Sequence, residues 1–401
     1  METAGKMKPK LGLVISNLQG GGAQRVASTL SFGLAEYYDL SLILHDGQKI
    51  GYPYRGQVVD LKTPATANPI LRLINFFIRI YRLKGFKKSF RPQAVISFME
   101  GSNFINLLSG GAGKVIISVR NYKSRQKSGF IGQLFAFLIK LLYGRSDLIV
   151  AASEGIKADL VDSFSLPVDK IKVIYNPYDL DYIAEKSKES LAADERAYFE
   201  QGEVLVTAGN LSSQKGQWHL VRALSKVRKS KPGVKLVVLG EGELHQYLTE
   251  LVAALQLEEA VMFTGYRENP FKYMRGADLF ILPSLYEGFP NVLVEAMACE
   301  TAVVAADCPS GPREILAPQT AFSHVTMDVE EAEYGVLIPP CSGQLAGAEE
   351  SLSREEQLMA EAMVNLLGDQ ERVNYYRDNS KKRASDFAAR RIINDWLEIL
   401  K

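Results

Sequence analysis

The sequence predicts an α/β protein made of two doubly wound domains in tandem, and three observations carry that reading. Short apolar runs recur between longer helical patterns, the series of runs restarts after a charged stretch, and each series opens with a strand, a Gly-containing turn and a helix. A chain of 401 residues, 47% apolar and 23% charged, is also long for a single domain and able to bury two cores.

The first series is "LGLVIS" (11–16), "LSLILH" (40–45), "AVISF" (94–98), "KVIIS" (114–118), "DLIVAAS" (147–153) and "KIKVIYN" (170–176). Runs this apolar read as strands buried on both faces, a parallel sheet with helices above and below. After "NPYD" comes the charged stretch "SKESLAADERAYFEQG" (187–202), and the pattern restarts with "EVLVTAGN" (203–210), "KLVVLG" (235–240), "VMFTG" (261–265), "DLFILPS" (278–284), "AVVAADC" (302–308) and "YGVLIPP" (334–340). The expected division is therefore a first domain over 1–195 and a second over 196–380, with a terminal segment over 381–401 whose apolar positions have helical spacing.

Both openings, "LVISNLQGGGAQRVASTL" and "LVTAGNLSSQKGQWHLV", aim a helix N-terminus past the carboxyl ends of the strands, where such sheets bind ligands. A phosphate-bearing ligand suits that place. Neither loop is a G-x-G-x-x-G with a following ribose-binding acid or a G-x-x-x-x-G-K-[ST] loop, which argues against dinucleotide and Walker-type sites.

Charge is unevenly spread. Between Ala65 and Asp147 fourteen basic residues face only Glu100 and Asp147, an excess of +12 within a chain of net charge +1. Two segments there, 70–91 and 123–145, mix Lys and Arg with apolar residues, including Phe76, Phe77, Ile78, Ile80 and Tyr81. They read either as helices on an anionic membrane surface or as core helices with snorkelling basic residues, and the breadth of apolar surface favours the membrane. No nucleic-acid motif accompanies the charge. The N-terminus has no apolar signal region and no run is long enough to span a bilayer. Cys299, Cys308 and Cys341 lack C-x-x-C spacing and read as buried thiols in a reducing compartment.

"GNLSSQKG", "LVVLGEGE", "FTGYREN", "LPSLYEGFPNVLVEAMA" and "SGPREIL", in that order, resemble retaining nucleotide-sugar glycosyltransferases of family 4, which have the GT-B fold of two Rossmann-like domains facing across a cleft. "GGGAQRV" resembles members that build bacterial polysaccharides and lipid-linked oligosaccharides. The resemblance spans nearly the whole chain, and it implies that the terminal helix crosses back to the first domain, where Trp396 anchors it.

It also implies roles. Glu287 lies against the donor hexose, facing the charge that develops at the anomeric carbon, while Glu295 binds the ribose hydroxyls. Gly288, Phe289, Pro290, Asn291 and Val292 turn the chain into a helix whose N–H groups hold the diphosphate. Lys215 grips the same diphosphate. Gly240, Gly242 and Tyr266 line the nucleoside pocket, Tyr266 chiefly by its backbone, and Gly21 and Gly22 admit the phosphates to the first-domain backbone. Asn210 departs from the family's arginine, so a phosphate contact is lost or comes from Arg25 or Arg120; Arg120 itself stands where many relatives have a histidine that touches the sugar.

The expectation is thus a metal-independent transferase without a cofactor. It takes a UDP-sugar as co-substrate and glycosylates a polyprenyl-diphosphate-linked saccharide from the cytoplasmic face of the cell membrane. A nucleotide-sugar epimerase, a non-catalytic GT-B subunit and a transferase with a soluble acceptor stay open.

Overall fold

A computed structural model describes residues 7–124 and 130–401, so the part of the basic segment 123–145 over 125–129 lies outside the described residues. The chain divides into two units, Met1–Tyr178 with Ala388–Lys401, and Asp179–Phe387.

The first unit holds a parallel sheet of β1 (Lys10–Ile15), β2 (Asp39–Leu44), β3 (Gln57–Asp60), β4 (Ala94–Phe98), β5 (Lys114–Val119), β6 (Leu148–Ala151) and β7 (Ile171–Val173), in the order β3-β2-β1-β4-β5-β6-β7. Successive residues of a strand point to opposite faces, and β1 shows the consequence. Leu11, Leu13 and Ile15 join a core with helix Gly22–Leu34 and helix Ala389–Leu400, whereas Val14 joins Ile43, Val95, Leu83 and Ile105 on the other face. Trp396 is fully buried beside Phe98, the anchoring role expected of it.

The second unit repeats the plan with β8 (Val204–Ala208), β9 (Lys235–Leu239), β10 (Val261–Gly265), β11 (Leu279–Leu282), β12 (Ala302–Ala306), β13 (Glu330–Ala332) and β14 (Gly335–Ile338), in the order β10-β9-β8-β11-β12-β14-β13. Only β13 runs antiparallel, pairing with β14 at the edge.

The division falls earlier than the expected residue 195. Residues 179–195 pack on the second unit: Tyr182 meets Phe271 edge to face, Asn269 Nδ2 donates to Lys186 O at 2.8 Å, and Arg267 pairs with Glu195 at 3.2 Å. Residues 381–387 stay there as well, because Arg383 donates to the carbonyls of Glu314 and Ile315 and Phe387 packs on Phe289. The returning segment begins at Ala388, where Ala389 N–H donates to Tyr178 O.

Helix Pro69–Phe90 starts on a side-chain cap from Asn68 and splits its apolar residues between two sides. Phe76, Ile80, Leu83 and Phe86 pack on the core, while Ile70, Leu73, Ile74, Phe77 and Tyr81 are exposed, with Phe77 at 61% and Tyr81 at 79%. Several of its cations are engaged within the fold. Arg79 donates to Thr63 Oγ1 and O, Arg82 to the carbonyls of Leu61 and Lys62, and fully buried Lys87 to Asn106 O at 3.0 Å. Among the described residues no helix is long and apolar enough to cross a membrane.

Burial pulls the Lys87 ammonium from 10.5 down to about 8. Between these values the unfolded chain binds more protons than the folded one, so this residue makes stability rise with pH across that window. Urea unfolding at intervals from pH 7.5 to about 10 is expected to show the rise in the parent and a flatter profile in Lys87→Met, the difference reaching roughly 1 to 3 kcal/mol.

Candidate active site

The strand order of the second unit reverses between neighbours β8 and β11. Chain leaving these strands diverges, and the crevice between the two loops is where a doubly wound sheet holds its ligand. The loops are 209–216 and 283–290. They are stitched together by Leu285 N–H donating to Gln214 O and Gln214 Nε2 donating to Tyr286 O, each at 2.9 Å. Gly216 permits the approach: its φ is +62°, and a Cβ would lie 2.4 Å from Pro283 O.

This brings Lys215 and Glu287 together, 72 positions apart in the chain. Lys215 Nζ lies 2.6 Å from Glu287 Oε1, and Ser284 Oγ donates to the same oxygen at 2.7 Å. The Glu287 side chain belongs to a residue only 4% exposed, and its N–H donates to Pro309 O, so both backbone and carboxylate are fixed. Nearby thiol and phenol groups are unsuited to nucleophilic work. Burial, with Glu287 adding, raises Tyr286 and pushes Cys308 well above the ordinary thiol value. All three cysteines are buried and unbridged.

Asn291 and Val292 open helix Asn291–Ala298, and the residue before it, Pro290, gives no side-chain cap. The turn into the helix is clamped by the "SGP" segment: Ser310 Oγ donates to Gly288 O at 2.6 Å, and a Cβ on Gly311 would stand 2.4 Å from Pro290 Cδ. Phe289 points its ring into packing against Phe387, 5.3 Å between centroids, so a ring contact with the donor is not what this structure shows. Glu295, on the same helix, is buried.

The loop after β9 packs against the loop that carries Lys215, and the loop after β10 packs against the loop after β9. A Cβ on Gly240 would lie 2.0 Å from Gly209 O, and one on Gly242 would lie 2.4 Å from Leu211 O. Leu211 N–H donates to Glu241 O, Gly240 N–H to Gly265 O, and Tyr266 N–H to Glu241 Oε1 at 3.2 Å. The Tyr266 ring is 60% exposed. Asn210 is exposed at the start of its loop, with Gln217 Nε2 donating to its carbonyl.

The remaining expected contacts belong to the first unit. Gly21 caps helix Gly22–Leu34 with φ +77°, and Arg25, in its first turns, lies 5.5 Å from the Tyr52 ring. Arg120 is held inside the first unit. It is buried between the rings of Phe98 and Trp396, at 5.6 and 5.8 Å, and donates to Asn176 Oδ1. Burial holds its guanidinium down to about 9. Among the described residues its Nε and Nη2 have no hydrogen-bond partner. Among the described residues no group of three or more His, Cys, Asp or Glu is placed to hold a metal ion.

Two Rossmann-like sheets, with a Lys–Glu pair at the switch point of the second, define the fold class, and comparison with known proteins gives the family. The model for glycosyl transferases group 1 matches residues 192–342, and that for glycosyltransferase family 4 matches 20–182. The chain belongs to this glycosyltransferase family. It is 31% identical to the N-acetylgalactosamine-N,N'-diacetylbacillosaminyl-diphospho-undecaprenol 4-alpha-N-acetylgalactosaminyltransferase of Campylobacter jejuni, over 98% of this chain and 99% of that one. It is also 31% identical to an uncharacterized glycosyltransferase of Methanocaldococcus jannaschii, over 82% of this chain and 84% of that protein. Anabaena HepE, solved in complex with UDP and glucose, shares the fold with a TM-score of 0.76 at 18% identity, covering 98% of this chain and 99% of its own.

The close backbone approach at Gly240 generates a prediction. Gly240→Ala puts a methyl group onto Gly209 O and should destabilise the protein by about 2 kcal/mol or more, read as a lowered thermal midpoint by calorimetry.

Proposed function

We propose that this glycosyltransferase moves a hexose or N-acetylhexosamine, with retention of anomeric configuration, from a UDP-sugar to a hydroxyl of a polyprenyl-diphosphate-linked saccharide. The observation that carries the reading is the buried Glu287 carboxylate, held on one oxygen by Lys215 and Ser284 at the switch point of the second sheet. The name of the Campylobacter relative, aligned over nearly the full chain, supports the lipid-linked acceptor, and the HepE complex supports UDP.

In this reading the uridine diphosphate lies along the glycine-lined loops, with Lys215 and the N–H groups of Asn291 and Val292 on its phosphates. Glu295 holds the ribose hydroxyls. The lysine and the helix N-terminus stabilise negative charge on the departing diphosphate, while Glu287 accepts hydrogen bonds from the hexose and faces the positive charge at the anomeric carbon. No cofactor or metal enters these steps.

A second reading rests on Asn210. The cationic partner of Lys215 is missing there, which favours a GT-B subunit that retains the fold without turnover. Purified protein incubated with a panel of radiolabelled UDP-sugars and membrane extract separates the two: label should move into a lipid-extractable product, and Lys215→Ala should lose most of it. Absence of nucleotide-sugar binding by calorimetry would favour the non-catalytic subunit. Glu295→Ala is expected to weaken UDP binding by roughly 1 to 3 kcal/mol, the effect of a charged hydrogen-bonding group.

The acceptor's lipid places the enzyme on an anionic membrane at the cytoplasmic face. The exposed stripe Ile70, Leu73, Ile74, Phe77 and Tyr81 continues along the same side of its helix into exposed Lys84 and Lys88, the composition that seats a helix in a charged interface. Leu134, Phe137 and Leu141 form a similar exposed series on helix Phe130–Leu142. Arg79, Arg82 and Lys87, counted with the membrane charges from sequence, are engaged by hydrogen bonds within the fold instead. Wild type should sediment with anionic but not zwitterionic vesicles at physiological salt, and Phe77→Ser/Tyr81→Ser/Lys84→Glu/Lys88→Glu should not. Equal sedimentation of the two proteins, or none by wild type, would remove the membrane from the reading.

A further inference from the structure

The two oxygens of the Glu287 carboxylate have different surroundings. Oε1 receives both the Lys215 ammonium and the Ser284 hydroxyl, while among the described residues no hydrogen bond reaches Oε2. The Ser284 hydroxyl makes no other hydrogen bond among the described residues, and the residue is fully buried just past β11. The Lys215 stem passes over Gly209, where a Cβ would come within 3.3 Å of Lys215 Cε, and its head keeps some exposure to the crevice. Two contacts therefore hold one oxygen, one from a short buried hydroxyl and one from a long flexible cation.

Building on the transferase reading above, we infer that Ser284 is the positioning residue of Glu287 during turnover, and that Lys215 exchanges between Glu287 in the free enzyme and the diphosphate in the complex. A single ammonium beside a carboxylate is formally neutral, so the site keeps its cation latent until a ligand of higher negative charge competes for it. When the ammonium turns to the diphosphate, Oε1 loses its charged partner. The Ser284 hydroxyl is then the remaining donor on that oxygen, and with the Glu287 N–H fixed to Pro309 O it keeps Oε2 aimed outward to the sugar. No covalent bond changes; one hydrogen-bonding partner replaces another.

The exchange makes a prediction of unusual sign. Removing the Glu287 charge should free Lys215 and tighten UDP binding, so Glu287→Gln should bind UDP several-fold more strongly than wild type by calorimetry. In a Lys215→Ala background the same substitution should give no such gain, because the competition acts through the lysine. A gain of equal size in both backgrounds would show direct repulsion between Glu287 and UDP and overturn the exchange.

Ser284 is read separately by kinetics. With a UDP-sugar that wild type turns over and membrane extract as acceptor, Ser284→Ala should lower kcat by about 10- to 100-fold, the effect of one hydrogen bond to a charged group. Donor KM and UDP affinity should stay within about twofold of wild type, since uniform binding is untouched. Ser284→Thr, which retains the hydroxyl, should recover most of the loss. A merely structural serine would instead lower the thermal midpoint and change UDP affinity together with kcat. Full kcat in Ser284→Ala, or no recovery in a folded Ser284→Thr, overturns the positioning role. Wild type that binds no UDP and transfers no sugar would defeat the transferase reading itself, a failure distinct from these.

Discussion

A parallel sheet sends every strand's carboxyl end to the same edge, and only where the strand order reverses do two adjacent loops diverge instead of covering one another. The candidate site of this protein depends on that constraint. In the second unit the reversal lies between β8 and β11, and the loops leaving them carry Lys215 and Glu287. Residues 72 positions apart meet because topology leaves them a shared gap, and the pair forms because the loops are bridged through Gln214. The first unit reverses its order between β1 and β4. There the residues before the two flanking helices, Gly21 and Met99, adopt nearly the same backbone, φ 77° and ψ 155° against φ 73° and ψ 153°. Glycine takes that conformation freely; methionine is strained in it. The same geometric demand has been met once by composition and once at the expense of strain.

Close approach is the second constraint, and it explains the glycines. Gly209, Gly240 and Gly242 allow the loops after β8 and β9 to pack backbone to backbone, with Gly240 N–H reaching on to Gly265 O. A side chain at Gly240 or Gly242 would separate loops whose contact sets the floor behind Lys215. Gly311 does the same for the turn at Pro290.

Much of this was legible in the sequence because apolar runs and glycine-bearing turns report backbone geometry directly. Twelve strand runs read from sequence correspond to strands in the sheets; β3 and β13 escaped notice because "QVVD" and "EEA" are short edge strands with little apolar content. Lys215 and Glu287, singled out through their motifs, do meet in the fold, whereas Ser284 was not singled out, since a serine just past a strand carries no signal until its partner's position is known. The unit boundary was misplaced for a related reason. The charged composition of 187–202 suggests a linker, yet Tyr182 and Glu195 are tied to the second unit by single specific contacts with Phe271, Tyr273 and Arg267. Composition reports average burial and does not report such pairings.

The basic segment illustrates the same limit with electrostatic consequences. An excess of +12 over 65–147 suggests one uniform field, but side-chain reach divides it. Arg79 and Arg82 are long enough to satisfy carbonyls at the end of β3, Lys87 is drawn under the sheet to Asn106, Arg120 lies between two rings, and Lys123 pairs with Glu100. Lys123 faces an opposite charge, and the others are held by carbonyl, hydroxyl and amide oxygens or by rings, which fixes their heads within the fold. Other cations of the span project outward, and two of them, Lys84 and Lys88, follow on from the exposed apolar stripe of their helix. In the reading proposed above, the apolar stripe supplies insertion and the adjoining lysines supply the preference for anionic headgroups. Such a surface suits a chain whose acceptor, in that same reading, never leaves the bilayer.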